Sequence, residues 1–168
     1  GGARFDYRSG IGAMGEGRYR SDSEHIDFRR IEQELDYITG CTMLVSREFL
    51  EDVGLMEEGY FLYYEEIDWA IRYRDRWRHV VAEDSIVLHK EGSSIGSASM
   101  KKSASPLADY YMARSKLLFM ARHRRAWSLW ARLLTIAQAI NRARRMQWRN
   151  VRALLYAVLG RRFPGAAV

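Results

Sequence analysis

Glu65, Glu66 and Asp68 place three carboxylates within four residues, directly behind the aromatic run Tyr60-Phe61-Leu62-Tyr63-Tyr64. Such a density of acids is a poor way to build a core. It is a good way to build a site that abstracts a proton or holds a metal. His89, 21 residues after Asp68, closes the apolar run Ile86-Val87-Leu88. Its imidazole suits a ligand to a divalent cation or a donor to a phosphate. Beyond it, Gly92-Ser93-Ser94 offers backbone N–H and hydroxyl donors for phosphate oxygens, and Lys90 adds a point charge. Each group also has a plainer reading. Acids belong in the first turn of a helix, where the dipole favours them. Asp68 is spaced to pair with Arg72. Trp69 and Tyr64 suit a core or the wall of a cleft. A histidine at a strand end is commonly a hydrogen-bonded structural residue, and Gly/Ser loops are common. Local pattern leaves both sets of readings open.

The elements that must position these groups follow from periodicity and punctuation. Ile67, Ala70 and Ile71 recur at helical spacing, which predicts a helix from Glu65 to about Arg76 with the acids in its first turn. The segment 35–45 turns fully apolar toward Val45 and reads as a buried strand. Gly40 within it marks a bulge or a close approach to a ligand. Ser46 caps a short helix over Arg47 to Val53, and Gly54 stops it. His79-Val80-Val81-Ala82 and Ser85 to His89 read as strands around the acidic turn Glu83-Asp84. Residues 1–34 are rich in Gly, Arg, Ser and Asp and read as a flexible glycine-rich loop region. The glycine spacing there is not that of a dinucleotide-binding fingerprint. The remainder is helical, over roughly 107–123, 127–146 and 148–159.

Composition bounds the class. With 168 residues, 48% of them hydrophobic, the chain is long enough for a domain with a real core and is not disordered in composition. The lone cysteine, Cys41, excludes an intramolecular disulfide. No apolar stretch reaches the length of a membrane-spanning helix. The net charge of +6 conceals a division. Residues 1–100 hold 12 basic and 20 acidic side chains, whereas residues 101–168 hold 15 basic ones and a single acid, Asp109. In that basic part, Trp127, Leu129, Trp130, Leu133, Leu134, Ile136 and Ile140 form a wide apolar stripe flanked by arginines. Arginine and tryptophan beside a wide apolar face suit a helix lying on an anionic membrane surface. A helix packed on its own domain with a solvated basic face fits as well. No recognisable motif accompanies the charge, so nucleic acid is not the expected partner.

Taken in order, these features resemble the second half of a family 2 glycosyltransferase catalytic domain of the GT-A fold, of the bacterial rhamnosyltransferase type. The resemblance runs through Asp36-Tyr37-Ile38-Thr39-Gly40-Cys41-Thr42, Val53-Gly54-Leu55, Tyr60 to Trp69, Ile71-Arg72 and Val87-Leu88-His89-Lys90 to Ser94. Tyr110-Tyr111-Met112-Ala113-Arg114-Ser115 resembles the family's tyrosine-and-arginine helix, with Ser115 where asparagine is frequent. The resemblance covers about residues 35–125.

It implies an α/β fold, a partial GT-A sheet remnant with helices, followed by basic amphipathic helices. It divides the chain into the loop region 1–34, an acceptor-side half-domain 35–105 and the helical region 106–168. Glu66 corresponds to the catalytic base, where many members have Asp. Glu65, Asp68 and Trp69 fall on the acceptor side, and Lys90, Ser93 and Ser94 beside the donor diphosphate. His89 corresponds to a ligand of a Mg²⁺ or Mn²⁺ ion. The implied reaction is inverting transfer of a sugar, rhamnose on dTDP or a similar nucleotide sugar, to a glycan or lipid-linked acceptor. The implied location is the cytoplasm, peripheral at the inner face of the plasma membrane. No Asp-x-Asp occurs in the sequence. The nucleotide-binding half that carries that motif is expected to precede Gly1, and without it this chain is expected to be inactive. The rival expectation is a non-catalytic basic module that associates with membranes or scaffolds.

Overall fold

The computed structural model describes residues 2–14, 27–85, 87 and 104–166. Among them are six α-helices and one three-stranded antiparallel sheet, a mixed α/β arrangement that sorts into two compact units.

The first unit holds β1 (Gly2–Asp6), β2 (Ile11–Met14), α1 (Phe28–Glu34), β3 (Tyr37–Ile38), α2 (Arg47–Val53) and α3 (Glu65–Tyr73). The strand order is β2-β1-β3, with Phe5 opposite Gly12 and Ala3 opposite both Met14 and Tyr37. Ala3 and Phe5 are buried while Arg4 and Asp6 are exposed, the period of two expected of a half-covered strand. Composition predicts a loop over residues 1–34, yet β1, β2 and α1 lie there. The glycines that read as flexibility serve close approach instead. A Cβ on Gly2 would sit 2.7 Å from the Tyr37 carbonyl oxygen, and one on Gly12 would sit 2.9 Å from the Tyr37 hydroxyl. Asp27 caps α1 by accepting from the Arg30 N–H at 3.0 Å.

The predicted long strand over 35–45 shrinks to β3. Only Gly2 and Ala3 of β1 stand opposite it, so the ladder ends after Ile38. Gly40–Thr42 then winds into a 3₁₀ turn, in which the Thr42 N–H donates to the Thr39 carbonyl at 3.0 Å. Leu44, expected to be buried, is 94% exposed. His79–Ala82 joins no sheet, although the Val81 N–H donates to Glu32 Oε1 at 2.7 Å. The other predicted strand, Ser85–His89, falls mostly outside the described residues.

Helix α2 begins and ends as its sequence predicts. Ser46 Oγ accepts from the Phe49 N–H at 3.1 Å, and Gly54 closes the helix at φ 78, ψ −176. That conformation is essentially restricted to glycine. The side chains of α3 then clamp the end of α2. Arg72 donates to the carbonyls of Val53 (3.1 Å) and Leu55 (2.7 Å), and Trp69 Nε1 donates to the Gly54 carbonyl between them (2.8 Å). Asp52 accepts from Trp77 Nε1 at 2.7 Å and pairs with Arg76. Phe49, Val53, Trp69, Ala70 and Tyr73 fill the core between the two helices, with Phe49 meeting Trp69 edge-on at 4.9 Å.

The second unit comprises residues 8–10 and 58–64 together with α4 (Pro106–His123), α5 (Ser128–Arg144) and α6 (Trp148–Val158). Ser105 Oγ caps α4 through the Ala108 N–H at 3.1 Å, and Pro106 opens its first turn. The core is built from Tyr110, Tyr111 and Leu154 with Ala113, Ala139, Ala153 and Ala157, and the four alanines let the helices approach closely. A buried polar cluster ties all three helices together. Asp109 Oδ1 of α4 accepts from Arg142 Nη2 (2.9 Å), and its Oδ2 accepts from Asn150 Nδ2 (2.8 Å) and lies 2.9 Å from Arg142 Nε. Among the described residues, no helix is long and apolar enough to cross a membrane.

Candidate active site at the head of the third helix

Glu65 and Glu66 are the first two residues of α3 and Asp68 is the fourth, so all three acids occupy its first turn. There the unpaired N–H groups and the helix dipole favour negative charge. The three acids nonetheless have three different environments.

Glu66 is held from across the unit. Its Oε1 accepts a hydrogen bond from the Gly40 N–H at 3.0 Å. A Cβ on Gly40 would lie 3.0 Å from that same oxygen. Gly40 was expected to allow a close approach to a ligand, and the group that approaches is the Glu66 carboxylate. The 3₁₀ turn that presents this N–H is pinned by its threonines, with Thr39 Oγ1 3.2 Å from Thr42 Oγ1. Tyr37, on the strand leading into the turn, feels the same carboxylate. Burial and then the negative charge of Glu66 push its phenol above the ordinary value.

Glu65 is the perturbed member of the pair. Burial, reinforced by the charge of Glu66, pushes its carboxyl up to about 7. Its Oε2 is buried and has no hydrogen-bond partner. A carboxyl that titrates near neutrality beside a second carboxylate is what proton transfer requires. An unsatisfied buried oxygen is the kind of defect that native structures keep at reactive positions.

Asp68 and Trp69, expected on the acceptor side, are buried, with Asp68 only 3% exposed. Asp68 Oδ2 lies 3.3 Å from Arg72 Nε as an ion pair. Trp69 packs on Phe49 and donates to the Gly54 carbonyl. Trp69 ties α3 to the end of α2 directly, and Asp68 pairs with Arg72, which reaches the Val53 and Leu55 carbonyls. His89, Lys90, Ser93 and Ser94, expected at the metal and the donor diphosphate, lie outside the described residues.

Among the described residues, no group of three or more His, Cys, Asp or Glu side chains is placed to hold a metal ion. His89, expected to ligate the ion, is not among the described residues, and Mg²⁺ commonly takes only one or two carboxylates beside substrate phosphates. His79, which sequence pattern does not single out, is structural. Its Nδ1 faces the Leu35 carbonyl at 3.1 Å and its Nε2 meets the Tyr73 hydroxyl at 2.6 Å. This pattern assigns the neutral tautomer with the proton on Nδ1, in keeping with burial holding the ring below the ordinary histidine value.

In the helical unit, the aromatic run adopts unusual backbone. Phe61, Tyr63 and Tyr64 have φ of 64, 65 and 73, left-handed values that cost non-glycine residues about 1 kcal/mol or more each. Side chains of α4 hold the segment. Arg114 Nη1 donates to the carbonyls of Gly59 (2.9 Å) and Tyr60 (3.3 Å). Ser115 Oγ lies 2.8 Å from the Leu62 carbonyl and 3.2 Å from that of Tyr60. Its single hydrogen favours the nearer one. Tyr64 Oη donates to the Gly10 carbonyl. Arg114 and Ser115, noted in sequence only as part of a resemblance, thus act on the run that precedes the acids.

No protein-family model matches the chain, and no solved structure matches it. Two curated relatives, both named N-acetylglucosaminyl-diphospho-decaprenol L-rhamnosyltransferase and both from Mycobacterium tuberculosis, are each 30% identical to it over 97 residues. The match covers 57% of this chain and 30% of each relative's length. Over more than half of its length, then, the chain is similar to part of a glycosyltransferase.

Proposed function

We propose that this chain carries the acceptor-side portion of an inverting glycosyltransferase of the GT-A type, and that Glu66 is its catalytic base. The observation that carries this reading is the glutamate pair opening α3, with Glu66 oriented by the Gly40 N–H and Glu65 titrating near neutrality. The likeness to two rhamnosyltransferases supports a sugar as the transferred group and a lipid-linked glycan as the acceptor.

In this reaction the acceptor hydroxyl oxygen attacks the anomeric carbon of a nucleotide sugar. A new C–O bond forms on the face opposite the leaving group. The old C–O bond breaks, and its electron pair departs with the nucleoside diphosphate. The hydroxyl proton passes to the Glu66 carboxylate, which the Gly40 N–H holds in a fixed direction. Glu65, held protonated toward neutrality by its burial, lowers the negative charge beside Glu66. His89, Lys90, Ser93 and Ser94 are proposed to serve the donor diphosphate.

The test is Glu66→Gln in the intact protein, assayed for transfer from dTDP-rhamnose to N-acetylglucosaminyl-diphospho-polyprenol, with circular dichroism to confirm the fold. Transfer is expected to fall by about 10²-fold or more, the usual worth of a general base. Undiminished transfer would remove Glu66 from the chemistry. A protein in which neither Glu66→Gln nor Glu65→Gln changes any sugar-transfer activity would be the rival, a basic module without catalysis.

A further inference from the structure

Helix α5 is packed inside out. Its buried residues are the small ones, Ala131, Thr135 and Ala139, while Leu129, Leu133, Ile136 and Ile140 are exposed. Those four sit at i, i+4, i+7 and i+11 and therefore form one stripe along the solvent side. Leu129 is 68% exposed and Ile140 53%. Helix α6 repeats the spacing with Trp148, Arg152, Leu155 and Leu159, all exposed. A helix normally turns its largest apolar side chains inward, and a stripe left outside marks a surface awaiting an occupant.

Charge identifies the occupant. Arg132, Arg144, Arg149 and Arg152 are exposed on these two helices, and Arg145 in the link between them. Across α4–α6 the single carboxylate is Asp109, which is buried against Arg142 and Asn150. The three helices therefore present no acid to solvent. A second copy docked face to face through the same helices would set arginines against arginines, and like charges across an interface are repulsive. Trp130 and Trp148 are half exposed within the basic, apolar surface, as tryptophans are where lipid headgroups meet acyl chains. We infer that α5 and α6 form a docking surface for an anionic lipid bilayer, with the stripes entering the headgroup boundary and the arginines engaging lipid phosphates.

The test is vesicle flotation of the intact protein with phosphatidylcholine alone and with an equimolar phosphatidylglycerol mixture. Salt is set at ~50 mM and ~500 mM to lengthen and shorten the screening distance. Flotation is expected with the anionic vesicles at low salt, weakened about tenfold or more at high salt and by Leu133→Gln with Ile136→Gln. Both substituted residues are exposed, so the double variant keeps its fold, which circular dichroism checks. No flotation at low salt would overturn the inference, as would undiminished flotation of the double variant. So would a dimer that ignores vesicles and dissociates in the double variant, which would give the stripe to a second copy. None of these outcomes bears on Glu66, whose role is tested by sugar transfer alone.

Discussion

The Glu66 carboxylate accepts a hydrogen bond from the backbone N–H of Gly40, 26 residues earlier in the chain. A residue on a turn thereby fixes the direction of a residue on a helix, and the turn has no room for a side chain.

Gly40→Ala tests this directly. Gly40 has no left-handed φ, so alanine suits the backbone, but its Cβ would press on Glu66 Oε1 at 3.0 Å. The carboxylate must give way by a little and its bond to the Gly40 N–H is strained. Sugar transfer is expected to fall by about tenfold, because catalysis is sensitive to the placement of its groups. Chemical denaturation is expected to move by no more than about 1 kcal/mol. A large loss of stability together with the loss of activity would mean that the contact is structural.

Glu65 makes the folded state sensitive to pH. Burial, then the charge of Glu66, raises its carboxyl from 4.5 to about 7. The folded chain therefore holds this proton more tightly than the unfolded chain does. Stability is unaffected by the shift below about pH 4.5, falls as pH rises toward 7, and has lost the full amount above that. The whole shift corresponds to about 3 kcal/mol, and partial solvation reduces the expected effect to about 1 kcal/mol. Glu65→Gln should be more stable than the parent at pH 8 and lose that advantage at pH 4, measured by urea unfolding. The same variant should lack an inflection near pH 7 in the rate profile of sugar transfer. Identical profiles for parent and variant would show that Glu65 does not titrate in this range.

Gly54 is the second glycine with a defined task. At φ 78 and ψ −176 it lets three successive carbonyls, those of Val53, Gly54 and Leu55, face donors from Arg72 and Trp69. Gly54→Ala is expected to cost about 1–3 kcal/mol. Thermal unfolding followed by the near-ultraviolet signal of Trp69 reads it, and an unchanged midpoint would contradict the assigned backbone.

Asp109→Ala should be among the most damaging single changes in the helical unit. It leaves the Arg142 guanidinium without its anion and takes from Asn150 one of its two acceptors, the Ala104 carbonyl remaining. Loss of one partner of a buried pair costs about 3–5 kcal/mol. Denaturant unfolding measures it, and a cost below about 1 kcal/mol would show that water reaches the pair.

Much of this was legible in the sequence, where local chemistry decides the structure. Ser46 and Gly54 bound α2 through capping and backbone freedom. The acids of α3 fall in the first turn, where the dipole favours them. The failures are equally physical. The apolar run ending at Val45 reads as a buried strand, but strand length depends on what lies opposite, and β1 offers β3 only Gly2 and Ala3. The glycines near the start read as looseness because the Tyr37 groups that crowd Gly2 and Gly12 are distant in sequence. The Gly40–Glu66 contact was half visible: the glycine marked a close approach, but nothing local names a partner 26 residues away. In α5 both the small and the large apolar residues recur at helical spacing, so periodicity alone cannot choose which face turns inward.

Because Asp109 is enclosed with Arg142, the outer surface of α4–α6 has no carboxylate to neutralise on acidification. Guanidinium groups such as those it carries are not deprotonated in proteins. The helical face is thus a fixed-charge surface. Whatever it attracts should respond steeply to ionic strength and hardly at all to acidity between mildly acid and mildly alkaline conditions.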